Sequence, residues 1–197
     1  MKRLYRMLWH LVGGSFFPIL SIFVTRKILL LSLGSISLII FSIEAARFFY
    51  PKFNEIIYRR LHPVLKEDEK IGLTGTTYLL VAALFVFAFF EKEIAAISLL
   101  FVSVGDLTAV IVGKRYGHIR VFNKSIEGSI ACFLSCILIG AVFYFLGFIG
   151  SFIVILAGAA AATLIELLPT RINDNLTVPV ASAVVMFLAD MLISYVR

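Results

Sequence analysis

The chain has 197 residues, of which 61% are hydrophobic and 15% charged, with 18 Lys and Arg against 12 Asp and Glu for a formal charge of +6. Soluble domains carry roughly 45–50% apolar and about 25% charged residues, so this composition excludes an ordinary soluble globular protein and points to an integral membrane protein. The longest polar stretch, about residues 47–70, is too short for a soluble domain, and one membrane domain over 1–197 is expected, an all-α polytopic helix bundle.

A helix needs roughly 20 apolar residues to cross the hydrocarbon. Seven transmembrane segments are predicted in chain order: about 8–25, 28–46, 73–90, 94–112, 129–146, 148–167 and 176–195. The first has a basic flank, Lys2, Arg3 and Arg6, as a signal peptide does. No small-residue cleavage site follows and Pro18 interrupts the run, so it is read as mature protein. Arg6, His10 and Gly14 fall four apart on one face of this helix. At the end of the second segment Glu44 and Arg47 are spaced for a local ion pair. Residues 51–70 then set Ile56, Ile57, Leu61 and Leu65 against Arg59, Arg60 and Lys66, the pattern of a helix lying in the membrane interface.

The cations give an orientation. With the N-terminus cytoplasmic, 14 of the 18 fall inside: Lys2, Arg3, Arg6, Arg47, Lys52, Arg59, Arg60, Lys66, Lys70, Lys114, Arg115, Arg120, Lys124 and Arg171. Only Arg26, Lys27, Lys92 and Arg197 fall outside, the Arg26-Lys27 pair being the one local objection. The positive-inside rule therefore predicts a multi-pass cell-membrane protein with a basic cytoplasmic face. Such a face suits anionic lipid heads or a polyphosphate. Cations spread over membrane loops, without a nucleic-acid module, speak against DNA or RNA as a partner.

The fourth segment, "FVSVGDLTAVIVGK", places Asp106 about seven residues before its cytoplasmic end, or roughly 10 Å deep. An acid there is costly and is a functional candidate by default. Gly105, Ala109 and Gly113 recur every four residues, a stripe that lets another helix come close, either within the chain or in a homodimer. A flexible cationic loop, "GKRYGHIRVFNKSIEGS", follows. Ser125 reads as the N-cap of the next helix, whose free backbone N–H groups would lie beside Lys124 and suit a phosphate. No G-x-x-x-x-G-K-[ST] run occurs, which argues against a standard P-loop. Asp106, the cationic loop, and a helix start carrying Lys124, Ser125 and a second acid, Glu127, could together hold a Mg²⁺–polyphosphate. Cys132 and Cys136, one turn apart in an apolar run with no other ligand types nearby, read as packing residues.

A second polar island, "PTRINDNLTVP" from Pro169 to Pro179, falls on the same face of the membrane. Asn173, Asp174 and Asn175 form either an N-cap and turn cluster or the second side of a grip on the metal, with Glu166 placed to orient the loop. Pro179 is expected in the first turn of the last helix. Asp190, deep in that helix, receives no role.

These residues carry a family resemblance. "GDLTAVIVGKRYGHIRVFNKSIEGSIA" closely resembles the nucleotide-binding signature of the CTP-dependent lipid-alcohol kinases, the family of dolichol kinase, phytol kinase and the CTP-using diacylglycerol kinases, with Asp106, Ala109, Gly113, Gly117, Lys124, Ser125, Glu127 and Gly128 in its positions. "RMLWHLVGG" looks like the family's N-terminal Arg-Lys-x-x-His-x-x-x-Gly, giving Arg6, His10 and Gly14, with Met7 in place of the lysine. "EAARFFYPKFN", "EDEKIGLTG" and "IELLPTRINDNLTVPVA" extend the likeness over nearly the whole chain.

The resemblance implies transfer of the γ-phosphoryl group of CTP to the hydroxyl of a membrane lipid alcohol, with Mg²⁺ as cofactor. Asp106, Glu127 and Asp174 are the expected metal ligands and, with Lys124, the catalytic set. Gly105, Gly113, Lys114, Gly117, Arg120, Lys124, Ser125, Gly128 and Asn175 are the expected nucleotide contacts, and Arg6, His10 and Glu166 the lipid-head or phosphate contacts. Asp174 and His10 are both open as general base. The rival family, the phosphatidate cytidylyltransferases, has a similar Asp-x-x-Ala and Lys-Thr-x-Glu-Gly region but continues into a His-Gly-Gly signature where this chain reads "NDNLTVP". A non-catalytic transporter or lipid-binding scaffold would show inverted repeats, and the Asp106 region recurs nowhere else.

Overall fold

A computed structural model of the chain describes residues 2–65, 67–122, 124–170 and 172–196; Lys66, Arg171 and Arg197, three of the cations used for orientation, lie outside them, as do the side chains of Lys2 and Arg3. Eight helices run in order: α1 (Lys2–Phe23), α2 (Arg26–Phe49), α3 (Pro51–Leu61), α4 (Gly75–Phe89), α5 (Lys92–Tyr116), α6 (Ile126–Phe145), α7 (Phe152–Leu167) and α8 (Asp174–Val196). A two-residue hairpin, β1 (Arg120–Val121) with β2 (Lys124–Ser125), interrupts the helical order between α5 and α6.

Five helices, α1, α2, α5, α6 and α8, are long and apolar enough to cross a membrane, and α4 and α7 are shorter apolar helices. The seven predicted segments are therefore these seven helices. At 15 and 16 residues, α4 and α7 span only about 22–24 Å at 1.5 Å per residue, less than the ~30 Å hydrocarbon core. The N-terminus of α4 and the C-terminus of α7 both end at the polar site described below, where wet surroundings remove the need for full span.

The central element is α5: 61% of its span is buried, against 22–33% in the other four long helices. It packs on α1, α6 and α8, while α7 packs on α8 and α2 on α4. Without a hydrophobic drive between helices in lipid, close packing and small residues decide such contacts. The stripe on α5 supplies one: a Cβ on Gly105 would lie 2.9 Å from Cys132 Sγ and 3.2 Å from Cys136 Sγ. Both cysteines are free and buried, the packing role expected of them. Because α6 covers the stripe, it offers nothing to a homodimer.

The ends of the helices are set locally. Thr25, Thr74 and Ser125 each accept from a backbone N–H three residues on, capping α2, α4 and α6. Gly147, at φ +76°, turns the chain between α6 and α7, a left-handed conformation that glycine adopts without steric cost. Arg26 donates to the Ala88 carbonyl, and Lys92 Nζ lies 3.3 Å from the Val24 carbonyl oxygen. These cations at the opposite end of the bundle are thus tied to carbonyls where α4 and α1 finish.

Three expectations need correction. The interfacial segment is helical only over Pro51–Leu61, with a single turn at Asp68–Lys70. Asp174 opens α8, so Pro179 falls in its second turn and removes the N–H that would have bonded the Asn175 carbonyl. Finally, α5 continues to Tyr116, ten residues past Asp106, which puts the carboxylate about 15 Å from the helix end rather than 10.

Candidate active site

The end of the bundle where α5 finishes and α6 begins is built around Ser125. Its Oγ accepts from Gly128 N at 3.1 Å. A Cβ on Gly113 would lie 2.6 Å from that oxygen, and one on Gly128 would lie 2.7 Å from the Ala109 carbonyl oxygen, so only glycines let the two helices close here. The cationic loop forms a hairpin, with Arg120 paired to Ser125 and Val121 to Lys124. Glu127 Oε1 accepts from the backbone of His118 (2.8 Å) and Ile119 (3.1 Å), pinning the turn to the first turn of α6.

A cavity of about 180 Å³ opens over this corner, lined by Gly113, Lys114, Arg120, Lys124, Ser125, Gly128, Glu166 and Asp106. Lys124 is its most connected cation: Nζ lies 2.9 Å from Asp174 Oδ2 and 3.0 Å from Glu166 Oε1, and it also donates to the Glu166 carbonyl. Burial works against the ammonium, yet the hydrogen bond to Asp174 and the charges of Glu166 and Asp174 outweigh it, holding its pKa above the ordinary 10.5. Glu166 Oε2 is buried without a partner.

A second cavity, about 220 Å³ and largely apolar, lies on the other side of α5. Its walls come from Arg6, Met7, Trp9 and His10 of α1, Ile40 and Ile43 of α2, and Ile57 and Leu61 of α3. Its floor is a buried polar network. Glu44 accepts from Arg47 (3.0 Å), from Thr74 N (3.1 Å) and Oγ1 (3.2 Å), and from Thr77 Oγ1 (3.0 Å). Arg47 also donates to the Glu69 carbonyl (2.6 Å) and to Asn54 (3.0 Å). The Gly75 peptide is held from both sides, its N–H by Glu69 Oε1 (2.7 Å) and its carbonyl by Asn175 Nδ2 (2.9 Å). With every group in it paired, a network of this kind fixes geometry. His10 Nε2 is the exception on the opposite wall, buried with no partner.

Asp106 lines both cavities. Among the described residues nothing hydrogen-bonds or ion-pairs its carboxylate, although the neighbouring acids Glu166, Asp174, Glu44 and Glu69 are all engaged.

The chain is similar to several known proteins. The chain is 27% identical over 163 residues to the CTP-dependent diacylglycerol kinase 1 of Schizosaccharomyces pombe, covering 75% of each chain. It is 39% identical over 144 residues to "Probable phytol kinase 2, chloroplastic" of Glycine max, covering 63% of this chain and 48% of that one. The chain is thus similar to CTP-dependent diacylglycerol kinases and phytol kinases. A protein of Rickettsia prowazekii (strain Madrid E) is 29% identical over 182 residues, 89% of both chains. The chain thus spans three quarters of the fission-yeast kinase and about half of the soybean one. No family model matches, and no solved structure does.

The expected site residues divide. Asp106, Gly113, Lys114, Arg120, Lys124, Ser125, Gly128 and Glu166 meet at the cationic cavity, while Arg6, His10 and Asn175 line the apolar one. Asp174 reaches the site through Lys124. Gly105 and Gly117 line neither cavity: Gly105 packs on Cys132, and a Cβ on Gly117 would lie 2.8 Å from Ser125 Cβ. Glu127 lines neither cavity; its Oε1 accepts from the hairpin backbone, and its Oε2 is buried without a partner among the described residues. Met7, the departure from the family lysine, lines the apolar cavity. Sequence reasoning missed Glu69, Thr74 and Gly75 as site residues and read Glu44–Arg47 only as a local pair. The signal for them is the run of threonines and glycine after "EDEK", which caps a helix and thereby offers N–H groups to an acid arriving from elsewhere.

Proposed function

We propose that this chain is a CTP-dependent kinase that moves the γ-phosphoryl group of CTP to the hydroxyl of a membrane lipid alcohol, releasing CDP. The acceptor is a diacylglycerol or an isoprenoid alcohol, the two classes in the relatives' names. The observation that carries this reading is the unpaired Asp106 carboxylate on the shared wall of one cationic and one apolar cavity. The cationic cavity suits a polyphosphate; the second, largely apolar and with its buried charges paired, suits a hydroxyl on a hydrocarbon. Phosphoryl transfer asks the protein for positioning and charge neutralisation rather than covalent chemistry.

Among the described residues no three His, Cys, Asp or Glu side chains converge as a ready-made metal cluster. That fits Mg²⁺, which takes one or two carboxylates and completes its shell with phosphate oxygens and water. Asp106 would hold it, with Asp174 as second ligand once Lys124 turns to phosphate; when bound, the ion neutralises charge on the transferring group. Glu127 enters this reading as the residue that keeps the hairpin closed over the phosphates. His10, with its buried unpartnered Nε2 in the apolar cavity, is the better candidate to meet the acceptor hydroxyl than Asp174, whose oxygens are occupied. By the charge bias of its loops, this end faces the cytoplasm.

The test is purified protein with Mg²⁺ and γ-labelled CTP against diacylglycerol, phytol, farnesol and polyprenols. Label in lipid with CDP release supports the kinase; pyrophosphate release makes it a cytidylyltransferase; no transfer to any acceptor removes the enzymatic reading.

A further inference from the structure

The apolar cavity must admit a molecule with a polar head and a long tail, and the structure restricts where the tail leaves. Through the floor it cannot pass: Glu44, Arg47 and Glu69 are 5%, 4% and 7% exposed and closed on one another by hydrogen bonds. Inserting hydrocarbon there would strip buried charges of their partners. Inward, Asp106, Leu107 and Val110 of the central helix α5 close the wall.

Leu61 of α3 also lines the cavity and is 46% exposed, but α3 is not among the helices long and apolar enough to span a bilayer, so the side that faces hydrocarbon is the gap between α1 and α2. These two helices touch each other only lightly, α1 packing mainly on α5 and α2 mainly on α4. Trp9 of α1 and Ile43 of α2 line the cavity and are also 56% and 38% exposed on the outside. Side chains that belong to both surfaces mark an opening. Both helices are long and apolar enough to span a bilayer, so what lies outside that opening is lipid. Trp9 Nε1 lies 3.4 Å from Thr76 Oγ1 across the cavity, which ties the indole to α4 at its polar edge and leaves its apolar body along the opening.

We propose that the hydrocarbon tail of the acceptor runs out of the apolar cavity sideways into the bilayer, between α1 and α2 and past Trp9 and Ile43. This rests on the kinase reading and adds the entry route and the residues that select the tail. Trp9 is the single tryptophan of the chain, so its fluorescence reports this opening alone.

The experiment uses the full chain in phosphatidylcholine vesicles without nucleotide. Tail-brominated diacylglycerol and a tail-brominated isoprenoid alcohol are titrated separately, with brominated phosphatidylcholine at equal mole fraction as the control quencher. Saturable quenching of Trp9 by either alcohol, severalfold stronger than that by brominated phosphatidylcholine, supports the portal. Ile43→Phe should remove that excess, whereas Leu38→Phe, on an outward part of α2 that does not line the cavity, should keep it. Quenching by both alcohols no greater than by brominated phosphatidylcholine overturns the proposal, as does an excess that survives Ile43→Phe. Because no turnover is involved, failure here is separate from failure of the kinase. In the active enzyme, Ile43→Phe should raise KM for long-tailed acceptors about tenfold, well beyond any change in KM for a short alcohol.

Discussion

The Lys124 ammonium lies 2.9 Å from Asp174 Oδ2, and this contact joins the cationic hairpin to the first residue of α8. With Glu166 of α7 on the same nitrogen at 3.0 Å, one lysine gathers three elements at the mouth of the cationic cavity. Bound polyphosphate would compete for that lysine, so the two acids hold it in place until substrate arrives.

Removing the cation should therefore cost both stability and activity. Lys124→Met leaves the buried Glu166 unpaired; a buried pair broken this way costs about 3–5 kcal/mol, brought down to about 1–3 by water at a lysine whose side chain is 29% exposed. The double variant Lys124→Met/Glu166→Gln should recover most of the Tm in detergent without recovering transfer. Full recovery of turnover would remove Lys124 from the phosphate site.

Asp106→Asn should abolish transfer while leaving stability within about 0.5 kcal/mol of the parent, as substitutions away from a paired network usually do. Near-normal turnover would show that the metal assignment is wrong. Radiolabelled CTP and thermal unfolding in detergent check the two halves.

Glu127→Gln keeps one acceptor for the hairpin and loses the charge that favours it. The expected result is a KM for CTP raised about tenfold with kcat changed less, since a loop that positions substrate acts mainly through binding. A kcat loss as deep as that of Asp106→Asn would return Glu127 to the metal.

The two glycines of the α5 stripe should behave oppositely. Gly105→Ala presses on Cys132 in the core and should destabilise by about 1–3 kcal/mol while activity per folded molecule is kept. Gly113→Ala presses on Ser125 Oγ at the phosphate cavity and should raise KM for CTP. Similar kinetic losses in both would mean that the whole stripe shapes the site.

The raised pKa of Lys124 gives a pH expectation for the metal-free protein in chelator. A lysine held above its ordinary 10.5 contributes its full stabilisation below that value and loses it as pH rises through the folded one. Tm should thus show no step from Lys124 between about pH 6 and 9 and should fall more steeply above about 10.5 in the parent than in Lys124→Met.

Much of the fold is legible because each apolar run reports its own cost in water: the runs predicted as seven spans are α1, α2 and α4 to α8. Ser125 as a cap and Glu44–Arg47 as a pair were legible for a related reason, since both involve groups three residues apart on one helix end. Gly105 could not be separated from Gly113 in this way. Both stand on one stripe, and only the position of α6 decides that one meets cysteine sulfur in the core and the other a serine at a cavity.

The sequence by itself determined the bundle, the basic end, and Asp106 as an acid that a membrane helix would otherwise reject, because burial cost and helical spacing are local properties of the chain. Tertiary structure alone decided that Lys124 meets Glu166 and Asp174, that Glu69 and Asn175 clamp Gly75, and that Asp106 stands between a cationic and an apolar chamber. Those contacts join residues from 6 to 100 positions apart. Which of many distant polar groups become partners is settled only when close packing of helices in lipid fixes their ends together.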